Sequence, residues 1–126
     1  MGLAYTDLVL ESTSGNRRMQ VRALADSGAV FMSIPEPMAL QLGFDTEEFS
    51  IREVTLADGS KKRVPMIGPL RVHFRDRYCD LSALVLGDEP LMGAVPMEMM
   101  DLLVHPASQS VTVNPESPYF PSAHAK

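Results

Sequence analysis

The sequence predicts a mainly β fold of one small domain with two short helices, and three observations carry that prediction. Short runs of alternating apolar and polar residues recur over most of the 126-residue chain. Asp58-Gly59 separates two of these runs, and Asp-Gly between alternating stretches is the strongest short-range hairpin signal. Only two stretches, one from Pro35 to Gly43 and one from Ala94 to Asp101, place a proline near the start of a helical apolar spacing.

Taken in order, Tyr5 to Glu11 alternates as a strand, and Ser12 to Asn16 is a turn cluster. Met19 to Ala25 returns as the second arm of a hairpin and delivers Asp26. A strand is expected to resume from Val30 to Ser33. Pro35 to Gly43 follows as a helix of about two turns with Met38 and Leu42 on one face, because proline suits the first turn and glycine the position just past the end. Val54 and Leu56 alternate with Glu53 and Thr55, Ala57-Asp58-Gly59-Ser60 forms a hairpin tip, and the return arm carries Lys61-Lys62-Arg63 before Val64 to Ile67. Pro65 cannot donate to a ladder, which puts this arm at an edge. Leu70, Val72 and Phe74 alternate with Arg71, His73 and Arg75, and the chain turns at Asp76 into a strand from Tyr78 to Leu86. His73 falls on the polar side of its strand and is expected to be solvated. Leu91-Met92-Gly93 is a short apolar strand opening the second helix, where Met97, Met100 and Leu103 are expected to face the core. Leu102 to Val104 and Val111 to Val113 make a last hairpin. Residues 1–115 read as the domain and 116–126, with Pro118 and Pro121, as a disordered tail.

Composition narrows the function. Apolar residues make up 45% and charged ones 21%, which is globular rather than disordered. A net charge of -5 argues against a nucleic-acid partner. Cys79 is the single cysteine, so no internal disulfide can form, which fits a reducing compartment. With no apolar run near the ~20 residues of a membrane span and no signal-peptide core, the chain is expected to be a soluble cytoplasmic protein without a membrane partner. Met1 to Thr6 does fit the short and common myristoylation pattern. His73, His105 and His124 lack metal-ligand spacing, so neither a metal nor another cofactor is expected. A Cys79 nucleophile served by His73 or His105 finds no support in the spacing, and a half-buried inert thiol fits better.

The stretch that carries chemistry is Leu24-Ala25-Asp26-Ser27-Gly28-Ala29. A strand ends there in a tight turn, so the carboxylate sits on a rigid element between apolar arms. An ionised carboxylate in partly dehydrated surroundings is costly unless paired, hydrogen-bonded or protonated. Asp-Ser-Gly is also ordinary turn chemistry, in which Asp and Ser side chains bond nearby amides. Some sixty residues later comes Leu91-Met92-Gly93-Ala94. The order and spacing of the two motifs resemble the retropepsin-like aspartic proteases, above all their small bacterial and archaeal cellular members, from about Tyr5 to Pro115. The resemblance implies half of a closed β-barrel or sandwich with two short helices and a flap hairpin, acting as a homodimer. In that reading Asp26 is catalytic, Ser27, Gly28 and Ala29 form the active-site loop, and Ala57, Asp58, Gly59 and Ser60 belong to a flap that holds substrate.

Peptide hydrolysis by carboxylates needs one to deprotonate water and one in acid form to polarise the carbonyl, and two close carboxylates share a proton in just this way. Only one aspartate of this chain lies in such a turn. A dyad therefore requires two copies related by a two-fold axis, which lets a residue near the axis meet itself. The implied substrate is an extended peptide or protein segment held by strand addition. Ser27 replaces the threonine commoner in the family, Val30 and Phe31 stand where viral members carry further aspartates, and Ala94 stands where they have an arginine. The catalytic turn is kept while viral substrate recognition is not. An alternative is a catalytically weak or inactive dimer of the same fold that binds peptides or a protein, and a third is a β-rich subunit in which Asp26 is only a turn residue.

Overall fold

The computed structural model describes residues 3–14, 16–45 and 50–125. Gly15 of the first turn cluster and Met1-Gly2 of the myristoylation pattern lie outside them. The elements run β1 (Ala4–Ser12), β2 (Arg17–Ala25), β3 (Ser33–Ile34), α1 (Glu36–Gln41), β4 (Ile51–Thr55), β5 (Lys61–Phe74), β6 (Arg77–Val85), β7 (Leu91–Met92), α2 (Ala94–Met100), β8 (Leu102–His105) and β9 (Ser110–Val113).

Hydrogen bonding joins the strands in the order β1-β2-β7-β3-β6-β5-β4, and β1 also pairs with β5. Six strands thus close into a barrel, and β4 hangs outside it on β5. The seam that closes the ring pairs Val9 with His73 and Ser12 with Leu70. The alternation read from the sequence is the pleat of these strands: Leu8, Leu10, Val21, Ala23, Leu70, Val72 and Phe74 point inward and are buried. Burying the Leu, Val and Phe side chains among them stabilises by about 1.5–3 kcal/mol each, which is what closes a barrel from so short a chain.

Both helices are short and end on a left-handed residue. Gly43, at φ 88°, terminates α1 as its N–H bonds the Leu40 carbonyl. Asp101, at φ 56°, takes that position after α2. Met97 and Met100 are buried as the spacing predicts. Leu102 rather than Leu103 completes that apolar face, because the chain has already left the helix for β8, where neighbours point to opposite sides.

Two other expectations are corrected. No strand runs from Val30: β3 begins at Ser33, because the Ala29 and Val30 carbonyls accept the N–H groups of Ala94 and Val95 at 2.8 and 2.9 Å instead of a sheet partner. His73 is not solvated. The β1–β5 seam sets its Nε2 2.8 Å from the Glu11 carboxylate with both side chains largely covered, and that contact holds Glu11 below the usual carboxylate range.

Arg77 is buried at the start of β6. Its guanidinium donates to the carbonyls of Met100 at 2.9 Å, Asp101 at 3.1 Å and Ser117. Beyond β9, residues 114–125 contain no helix or strand. Asn114 Nδ2, Ser117 Oγ and the Ser122 N–H all donate to the Asp101 carboxylate.

Candidate active site

The Asp26 turn is built from two arms and a wedge. β2 enters it and β3 leaves it, and β7 threads between them, parallel to β2 (Leu24 beside Leu91, Ala25 beside Met92) and antiparallel to β3 (Ser33 beside Leu91). The Leu24 N–H bonds the Pro90 carbonyl and the Asp26 N–H bonds the Met92 carbonyl, each at 3.0 Å. The two motifs singled out in the sequence therefore form one object. Within the turn, the Gly28 N–H donates to Asp26 Oδ1 at 2.9 Å and the Ala29 N–H to the Asp26 carbonyl at 3.1 Å. The carboxylate is half-buried, while Ser27 and Gly28 are exposed beside it.

Glycine is required where the motifs touch. A Cβ on Gly93 would lie 2.5 Å from the Phe31 carbonyl oxygen and 2.8 Å from that of Ala29, both backbone atoms that cannot swing away. At Gly28 a Cβ would press on Asp26 Oδ1 at 3.1 Å.

The turn opens on a groove of about 460 Å³ lined by Gly28, Ala29, Phe31, Val54, Leu56 and Leu84, among others. One wall is the active-site loop and the other is β4. Asp26 itself stands just before the lining that begins at Gly28. Across the mouth, the Arg52 guanidinium carbon lies 4.7 Å from the centroid of the Phe31 ring. Ala57, Asp58, Gly59 and Ser60 form the exposed tip of the β4–β5 hairpin, beyond the groove lining. The Leu56 N–H bonds the Ser60 carbonyl, the Asp58 carboxylate accepts the Ser60 N–H at 2.9 Å, and Gly59 takes φ 86°. The Ser60 hydroxyl, which also donates to this carboxylate, and then the Ser60 N–H hold Asp58 below the ordinary carboxylate range.

Cys79 is buried, and burial pushes its thiol up to about 12, so it is not a nucleophile at neutral pH. Among the described residues no group of three or more His, Cys, Asp or Glu side chains could hold a metal ion, and no helix is long and apolar enough to cross a membrane.

Comparison with solved structures decides the architecture. The chain is similar to the retroviral protease-like domain of Ddi1 from Leishmania major, with a TM-score of 0.63 at 13% identity over 91% of this chain and 90% of that one. It is also similar to a retropepsin-like aspartic protease from Rickettsia conorii, with a TM-score of 0.55 at 16% identity over 79% and 86% of the two chains. The fold is retropepsin-like. No protein-family model matches the chain, and no curated protein matches it by sequence. Sequence reasoning missed Arg52, which carries no motif signal, and singled out Phe31 only as a departure from the viral members; the placement of β4 across the groove makes the two neighbours.

Proposed function

We propose that this chain is an aspartic endopeptidase that acts as a homodimer, with Asp26 of each copy forming the catalytic dyad. The observation that carries the reading is the Asp26 turn, a carboxylate fixed by the Gly28 amide and by the wedge of β7 immediately before the loop that lines a groove from Gly28 onward. The similar solved structures, described as protease-like and as an aspartic protease, support it.

In the dimer, the shared proton leaves one carboxylate as base for a water molecule and the other as acid toward the scissile carbonyl. The amide of Gly28 orients the carboxylate, the apolar groove takes the side chains of an extended peptide, and the hairpin of β4 and β5 covers it, excluding water. In this reading the hydroxyl of Ser27, which is exposed beside Asp26, meets the opposite loop. The chain needs no metal for this chemistry. We take residues 1–115 as the catalytic domain.

The test is cleavage of casein between pH 3 and pH 8 by wild type and Asp26→Asn at several protein concentrations. Activity that is lost in the variant, rises faster than linearly with concentration and follows a bell-shaped pH profile is expected. A folded, dimeric wild type that cuts at no pH would overturn the peptidase and leave the peptide-binding dimer.

A further inference from the structure

β4 and the facing arm of β5 form a hairpin with a single seam. Among the described residues β4 pairs with β5 alone, from Ile51 beside Pro65 to Thr55 beside Lys61, and β6 joins β5 from Met66 onward. The hairpin must therefore be held over the groove by side chains rather than by a second ladder. One contact that crosses from it to the active-site loop is the Arg52 guanidinium on the Phe31 ring. Phe31 is the fixed member, since the two residues before it give their carbonyls to Ala94 and Val95 and its own carbonyl packs closely on Gly93. Arg52 is the movable member, on a strand whose residues 51–53 are exposed.

Charge on the hairpin is sorted by the pleat. Arg52 and Val54 share a face with their partners Val64 and Lys62, whereas Glu53 shares the opposite face with Lys61 and Arg63. Glu53 also borders the groove, but its carboxylate lies 3.9 Å from Lys61 and 4.0 Å from Arg63. Among the described residues of the hairpin, the face that carries Val54 toward the groove thus presents Arg52 and Lys62 and no carboxylate. In a chain of net charge -5, that local excess of positive charge is a feature of this hairpin.

We propose that Arg52 is a positioning and specificity-determining residue, latching the hairpin on Phe31 in the free protein and passing its guanidinium to a carboxylate of an acidic extended peptide when one enters the groove. A ring face attracts a guanidinium weakly at an exposed site, whereas a carboxylate engages it through two parallel charge-assisted hydrogen bonds. The exchange therefore favours a bound acidic segment over a neutral one while the hairpin stays shut. The proposal rests on the groove being the peptide site, not on cleavage.

Two measurements on the full chain test it apart from catalysis. In hydrogen exchange, Arg52→Ala and Phe31→Leu should each speed the amides of residues 52–64 about threefold, and the double variant no further, with core strands unchanged. Equal exchange in wild type and both single variants would overturn the latch. For specificity, the Asp26→Asn protein is titrated with the fluorescein-labelled peptide Ala-Val-Phe-Val-Glu-Ala and with its Gln counterpart. The Glu peptide should bind about tenfold more tightly, Arg52→Ala should abolish the difference, and Arg52→Lys should restore part of it. Equal binding of the two peptides, or a preference that survives in Arg52→Ala, would overturn the exchange. Absence of cleavage by wild type alongside the predicted binding would sink the peptidase and leave Arg52 in its role.

Discussion

The active-site loop and the hairpin that faces it across the groove are held in opposite ways. The loop between β2 and β3 is fixed by a wedge strand, by four backbone bonds running to residues 90, 92, 94 and 95, and by a glycine with no room for a methyl group. The hairpin of β4 and β5 has one ladder, exposed charges and an open tip. The proposed peptidase site would need both: a carboxylate that does not move while charge develops on it, and a cover that yields to admit a peptide and then closes. Substitutions on the two sides should differ accordingly in size and reach.

The largest effect is expected on the loop side. Gly93→Ala forces a methyl group into two backbone carbonyls and should cost about 3 kcal/mol or more of global stability, read as a lowered urea midpoint. A midpoint within experimental error of wild type would show that the wedge is looser than its contacts imply. A smaller effect is expected where the retropepsin-like body meets its C-terminal segment. Ser117, Ser122 and Asn114 hold the Asp101 carboxyl below the usual range, the Ser117 hydroxyl contributing most. A carboxyl depressed in the folded state stabilises above its unfolded value near 4 and loses that contribution as pH falls through the folded value. Asp101→Asn should therefore be less stable than wild type at pH 7 and approach it at pH 2 to 3 in parallel thermal melts. A gap that stays constant across that range would place its cause elsewhere than in the carboxylate. The smallest effect belongs to the hairpin. Gly59→Ala meets no atom within 4 Å but must adopt φ 86°, costing about 1 kcal/mol. Exchange should quicken at the tip while the global midpoint barely moves. An equal loss of global stability would mean that the hairpin folds as one unit with the barrel.

The same contrast explains what could be read from the sequence. Asp26-Ser27-Gly28-Ala29 and Leu91-Met92-Gly93 were legible because close backbone packing admits few residue types, and Asp58-Gly59 because a tight hairpin demands positive φ. The alternation of β1, β2, β5 and β6 gave the core faces. Contacts between distant segments were not legible. His73 meets Glu11 only because β1 closes the barrel on β5, and Arg77 finds the end of α2 and Ser117 only once β6 lies beneath them. The run from Val30 has strand composition, yet its carbonyls belong to the start of α2. Arg52 on Phe31 joins two segments that each read locally as a strand, with nothing in either pattern to bring them together.

The central claim is that one active site uses Asp26 from two copies. It is tested most directly by mixing wild-type and Asp26→Asn chains at fixed total concentration and following casein cleavage after the subunits have exchanged. Equal amounts leave about a quarter of the dimers with both aspartates, so the account predicts activity that falls as the square of the wild-type fraction. A linear fall would show that each chain works with its own Asp26 alone and would contradict the shared dyad.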